Sequence, residues 1–217
     1  MIVHLVRHGQ AYNTHRAPGE PYPPNPPLTP IGVEQAERLA ERMATLPIDR
    51  LVSSPMLRTV ETASIVAQRT GHTVEVWTRS YEYRRQAGYL AWGAREIKAR
   101  YPDVEMPADF SPEDWEYGEE ALEAAIARAD ALIDWMEAQA AGGTTGQMAI
   151  VTHGAYTRLV LGRLLEIDPA RLQPVALDNT SLCTLEITLD TLRILALNDT
   201  AHLAGADEAD PLVGVTR

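Results

Sequence analysis

Residues 2–9 read IVHLVRHG and residues 148–154 read MAIVTHG. Each is a short apolar run that delivers a histidine and then a glycine. Such a run reads as a buried strand feeding a loop. Helical patterns fill the chain around them. Thr29-Pro30 supplies an N-cap and a first-turn proline, and Ala36, Leu39, Ala40 and Met43 follow at helical spacing. Residues 51–53 read as a strand. Ser54-Pro55 then opens a second helix with Met56, Val60, Ala63 and Ala67 on one face, and Gly71 ends it. Residues 74–77 are strand-like. Leu122, Ile126, Ala129, Ile133, Met136 and Ala140 alternate steps of four and three, the stripe of a long amphipathic helix stopped by Gly142-Gly143. Tyr156, Leu159, Val160 and Leu164 form a last helical face. Residues 182–188 and 192–197 form a hairpin.

Strands alternating with helices predict a three-layer α/β/α sandwich with a mostly parallel central sheet. One domain spans residues 1–204. Its insert at 80–117 shows one short helix, around residues 90–100. The proline-rich stretch 16–27 is a stiff irregular loop. The tail 205–217 is acidic and rich in small residues, and it is expected to be poorly ordered.

Composition narrows the function. The chain has 217 residues, 19 Lys+Arg against 30 Asp+Glu, and a formal net charge of −11. That balance counts against a nucleic-acid partner, which needs a basic footprint. Lys98 is the only lysine, so 18 of the cations are arginines, the planar forks suited to binding oxyanions. The single cysteine, Cys183, excludes an intramolecular disulfide and fits a reducing compartment. With no bilayer-length apolar run and no signal-peptide pattern, the expectation is a soluble cytoplasmic protein with no membrane partner.

In open α/β sheets ligands gather at the carboxyl ends of the strands. His8 and His153 are both aimed at that edge. Arg58, in the first turn after Ser53-Ser54-Pro55, lies at the end of another strand. Gly9 and Gly154 let the backbone approach a ligand, and Gly154 opens a helix whose N–H groups favour an anion. With Arg7, these residues make a phosphate-sized cationic pocket.

Arg7-His8-Gly9-Gln10, residues 53–63 (SSPMLRTVETA) and Thr152-His153-Gly154 resemble the signature blocks of the histidine phosphatase superfamily, the phosphoglycerate-mutase-like fold. Residues 28–32 (LTPIG) with Gln35-Ala36, Gly118-Glu119-Glu120 with Arg128, and the pieces 177–181 and 197–203 match as well. The resemblance runs from residue 1 to about 203 in the family's order. It implies a metal-independent phosphatase needing no cofactor, in which neutral His8 attacks phosphorus and forms a phosphohistidine. Arg7 and Arg58 would hold the non-bridging oxygens, with a protonated His153 as a third positive contact. Glu82 is the match for the general acid, although the glycine that follows it in the family sits farther away here, at Gly88. Glu119 and Glu20 stand as the alternatives. Gly9, Gln10, Asn13 and Gly154 are the candidate substrate contacts, Asn13 lying one position early.

The same residues admit other readings. A phosphoglycerate mutase is the alternative within the family. Gln10, where mutases carry glutamate, and residues 101–117, with six acids and no Lys or Arg, favour the phosphatase. A non-catalytic phospho-ligand module would not need both histidines and both arginines. A metal-dependent hydrolase would rest on His4 and His8 alone, with no third ligand at recognisable spacing. Arg58 with Glu61 or Thr62 could be a surface helix pair. Arg84, Arg85, Arg95, Lys98 and Arg100 read as a solvated face, Glu119 and Arg128 as a helix-start and a helix-face charge. The implied substrate is one small phosphorylated metabolite, and a homodimer is the assembly left open.

Overall fold

A computed structural model describes residues 1–13, 23–84 and 89–204. Glu20, most of the proline-rich loop and the acidic tail lie outside the described residues. The sheet is built from β1 (Ile2–Arg7), β2 (Ile48–Ser53), β3 (Val74–Val76), β5 (Val104–Glu105), β7 (Gln147–Thr152), β8 (Leu182–Ile187) and β9 (Leu192–Asp199). Its order is β5-β3-β2-β7-β1-β8-β9. The first five of these strands are mutually parallel, and β8 and β9 add antiparallel at one edge. A second, two-stranded sheet pairs β4 (Tyr89–Ala91) with β6 (Trp115–Tyr117).

Helices cover both faces. Helix α1 (Pro30–Met43) starts where the sequence puts its cap: the Thr29 hydroxyl accepts the Gly32 N–H at 3.0 Å. Helix α2 (Leu57–Thr70) ends at Gly71 in the left-handed region, φ 75°. These two pack Leu39, Met43, Val60 and Val66 against one face. On the other face, α4 (Leu122–Ala141) and α5 (Gly154–Leu164) bury Leu132, Met136, Tyr156 and Val160 against Val3, Leu5, Ile150 and Leu185. Burial of this apolar surface is the main force holding the layers together.

The segment between β3 and α4 holds more structure than the one short helix expected there. It carries α3 (Ala94–Arg100), the β4–β6 pair and β5, which extends the sheet beyond β3. The order β2-β7-β1 matters most for function. It sets the carboxyl ends of three neighbouring strands side by side, with Ser53 opposite Val151 and Arg7 opposite Thr152.

Candidate active site

His8, His153 and the Ser54–Arg58 turn follow directly from those three strand ends. The His8 backbone is held from three sides. Its N–H donates to the Thr152 carbonyl at 3.0 Å, its carbonyl accepts from the Asn179 amide at 2.9 Å, and the Thr180 N–H reaches the Arg7 carbonyl at 3.0 Å. The next residue packs so closely that a Cβ on Gly9 would stand 2.5 Å from the Gly32 carbonyl oxygen. The glycine there serves the contact of this loop with α1.

The His8 ring is buried, and its Nδ1 lies 2.6 Å from the Gly9 carbonyl. A carbonyl only accepts, so Nδ1 carries the hydrogen and Nε2 carries the lone pair. Arg58 Nε donates toward that Nε2 at 3.1 Å. Arg58 is itself buried, which overturns its reading as a surface helix pair. Glu61 turns away instead, accepting from the Leu28 N–H and the Tyr101 hydroxyl. Arg7 donates to the Leu177 carbonyl. A Cβ on Gly154 would come within 3.3 Å of Arg7 Nε, so the glycine leaves room for that guanidinium. The His153 ring meets His8 edge-on with centroids 5.2 Å apart.

Burial first, then the charge of Arg58, pushes the pKa of both histidines well below the ordinary 6.5. Both effects favour the uncharged ring in the free protein. For His153, burial and then Arg58, His8, Arg128 and Arg7 all act against the imidazolium expected there. Burial likewise brings Arg7 down to about 10, partly offset by Glu82.

Glu82 sits at the N-terminus of α5. Its Oε1 accepts from the Tyr83 and Tyr156 N–H groups, each at 2.9 Å, and Oε2 lies 3.4 Å from the Ala155 N–H. The segment carrying it is anchored twice. Thr152 donates from its hydroxyl to the Ser80 carbonyl at 2.9 Å, and Arg128 Nη1 donates to the carbonyls of Arg79 and Tyr81 at 2.7 and 2.9 Å. Arg128 is buried and pairs bidentately with Glu120, both bonds at 2.7 Å. That corrects its reading as a helix-face charge. Arg84 is likewise no part of a solvated face: it is buried, 4.8 Å from the Tyr81 ring centroid. Arg95, Lys98 and Arg100 are exposed, as expected; Arg85 lies outside the described residues.

Of the remaining candidates, the Gln10 carboxamide accepts the Thr29 hydroxyl at 2.7 Å, against the start of α1. Asn13 Oδ1 is buried without a hydrogen-bond partner among the described residues. Both ring nitrogens of His4 are bonded within the sheet, to Thr184 and Gln147 at 3.0 Å. Among the described residues no group of three or more His, Cys, Asp or Glu could hold a metal ion. Nor does any helix among them have the length and apolarity to cross a membrane. Ser54, Asn179 and Thr180 lie within the stretches that match the family, and their residue types alone signal no role.

The family model of the histidine phosphatase superfamily (branch 1) matches residues 3–200. The chain belongs to this superfamily. Solved structures of the same fold include a phosphoserine phosphatase of Entamoeba histolytica, determined as a histidine mutant with phosphoserine. It is 20% identical with a TM-score of 0.65, covering 93% of this chain and 98% of that one. A mycobacterial glucosyl-3-phosphoglycerate phosphatase is 24% identical with a TM-score of 0.62, covering 91% and 98%. Among curated relatives, a probable phosphoglycerate mutase of Proteus mirabilis is 43% identical over 68 residues, 30% of each chain. A Yersinia pestis protein of the same name is 39% identical over 74 residues, 33% of each. The chain thus spans about a third of the length of these curated relatives. The superfamily's phosphatases and its mutases both stand among its likenesses.

Proposed function

We propose that this chain is a metal-independent phosphatase that hydrolyses a small phosphomonoester through a phosphohistidine on His8. One observation carries the reading. A buried, neutral histidine donates from Nδ1 to the Gly9 carbonyl and directs its Nε2 lone pair into a site flanked by Arg58 and His153. In-line attack by Nε2 on phosphorus breaks the bond to the leaving oxygen and splits one transfer into two steps. Phosphoryl transfer depends mainly on positioning and on charge stabilisation of the equatorial oxygens. Arg7 and Arg58 supply fixed cations for that purpose, and the N-terminus of α5 adds its positive end.

The leaving alkoxide takes a proton from Glu82, which then accepts one from the water that cleaves the phosphohistidine. Among the described residues Oε2 makes only the long Ala155 contact, and we assign the proton exchange to it. A recess of about 140 Å³ is lined by Tyr83 and Ala155, whose N–H groups face this carboxylate, together with Leu122 and Arg158 among others. The curated relatives named as mutases are the observation that favours phosphoglycerate mutase activity instead.

The test is turnover of p-nitrophenyl phosphate in excess EDTA by wild type and His8→Ala. Undiminished activity in EDTA and its loss in His8→Ala are the expected results, with acid-labile phosphate trapped on wild type alone. Activity that survives in His8→Ala rejects the phosphohistidine. Interconversion of 3- and 2-phosphoglycerate without net release of phosphate supports the mutase.

A further inference from the structure

Ser54 is fully buried at the end of β2, and its hydroxyl oxygen lies 2.8 Å from His153 Nε2. Which partner donates decides what the other ring nitrogen can do. The Ser54 oxygen also receives the Met56 N–H at 3.4 Å. If Nε2 carried the hydrogen, the serine oxygen would accept twice and its own hydrogen would have no acceptor. If Ser54 donates to the Nε2 lone pair, every group on the serine is satisfied. The second arrangement puts the hydrogen of neutral His153 on Nδ1.

His153 Nδ1 is buried with no hydrogen-bond partner among the described residues, on a ring in edge contact with His8. A buried donor without an acceptor is costly, and native structures keep such groups where a ligand completes them. We propose that Ser54 is a positioning residue: by donating to Nε2 it locks His153 as the Nδ1–H tautomer, so that the uncharged ring donates a hydrogen bond to a phosphoryl oxygen.

His153 then contributes without being an imidazolium. Arg7 and Arg58 remain the site's fixed cations, and the hydrogen bond strengthens as charge gathers on the oxygen in the transition state. The catalytic part of this inference rests on the phosphatase reading; the tautomer does not.

Histidine nitrogen-15 spectra of the wild-type protein, collected at a pH where His153 is neutral, test the tautomer directly. The expected pattern is a protonated Nδ1 and a lone-pair Nε2, with the Nδ1 proton shifting downfield on addition of inorganic phosphate. A protonated Nε2 in the wild type overturns the proposal. Ser54→Ala, checked for folding by its thermal melt, is expected to move population toward Nε2–H and to lower kcat for p-nitrophenyl phosphate about tenfold or more, with KM changed less than about twofold. A kcat within twofold of wild type overturns the positioning role. Should Ser54→Ala fail to fold, the wild-type spectrum decides. Should wild type release no phosphate from any ester, the phosphatase reading falls, while the spectrum and its response to inorganic phosphate still judge Ser54.

Discussion

Burial and two arginines act on His8 in the same direction, holding its pKa well below 6.5. The sign follows. As the proposed nucleophile, His8 would lose activity only when acid overcomes both effects. The acidic limb of kcat/KM, which reports the free enzyme, is therefore expected well below pH 6.5, and a limb at the pKa of an ordinary imidazole would contradict this account. Glu82 makes a sharper test of a single residue. Gln in its place keeps an oxygen for the Tyr83 and Tyr156 N–H groups but can neither give nor take the catalytic proton. Glu82→Gln is expected to lower kcat by about 10²–10⁴ with little change in phosphate affinity, and an unaltered kcat would move the acid elsewhere. The residues that could be read from sequence were those whose place at a strand end agrees with their chemistry. His8, Arg58 and His153 each follow a strand end and are brought together. Arg128 could not be read this way, because one arginine on an amphipathic helix looks the same whether it faces solvent or a buried carboxylate.

Helix α4 reaches the site through that arginine. Arg128 grips Glu120 with two bonds, holds the carbonyls of Arg79 and Tyr81 with Nη1, and lies 3.6 Å from the Tyr81 ring centroid. Its own carbonyl accepts the Tyr156 hydroxyl at 2.9 Å, while the Tyr156 N–H holds Glu82. The helix, the acid-bearing segment and the start of α5 thus close into one ring of contacts. Removing a single partner from such a pair leaves an uncompensated buried charge, which costs about 3–5 kcal/mol. Glu120→Ala is expected to lose stability of that order in urea melts. Its surviving folded fraction should also show lowered kcat, because Glu82 loses its anchor; full stability and full kcat would show the ring to be idle. At this scale, legibility followed length and punctuation. The Thr29-Pro30 start, the Gly71 stop and the twenty-residue stripe of α4 announce themselves. Strands of two or three residues, such as β4, β5 and β6, carry too few positions for any period to show, and only their partners define them.

The net charge of −11 counts against a polyanionic partner such as nucleic acid, yet the molecule keeps its site positive by enclosing two arginines where three strands end. Contact distance and exclusion of water outweigh remote surface acids, which salt screens. The same enclosure makes the whole fold sensitive to acid. Burial lowers the pKa values of His4, His8 and His153, and takes His202 to about 4. Each binds a proton more readily in the unfolded chain, so the stability it confers is complete above pH 6.5 and declines as pH falls toward the folded value. Asp199, held at about 2 by Arg42, adds a loss beginning near pH 4. Glu61 acts the other way, since burial raises its pKa and protonation there favours the folded state. One carboxyl opposes four histidines, and the histidines titrate first on acidification. Each kcal/mol lost lowers Tm by about 2–4 °C in a chain of this size. A fall in Tm between pH 7 and pH 5 is therefore expected, with little change between pH 7 and pH 8. A Tm that stays level down to pH 5 would mean that these rings are not enclosed as described, and the argument for a neutral His8 would fall with them.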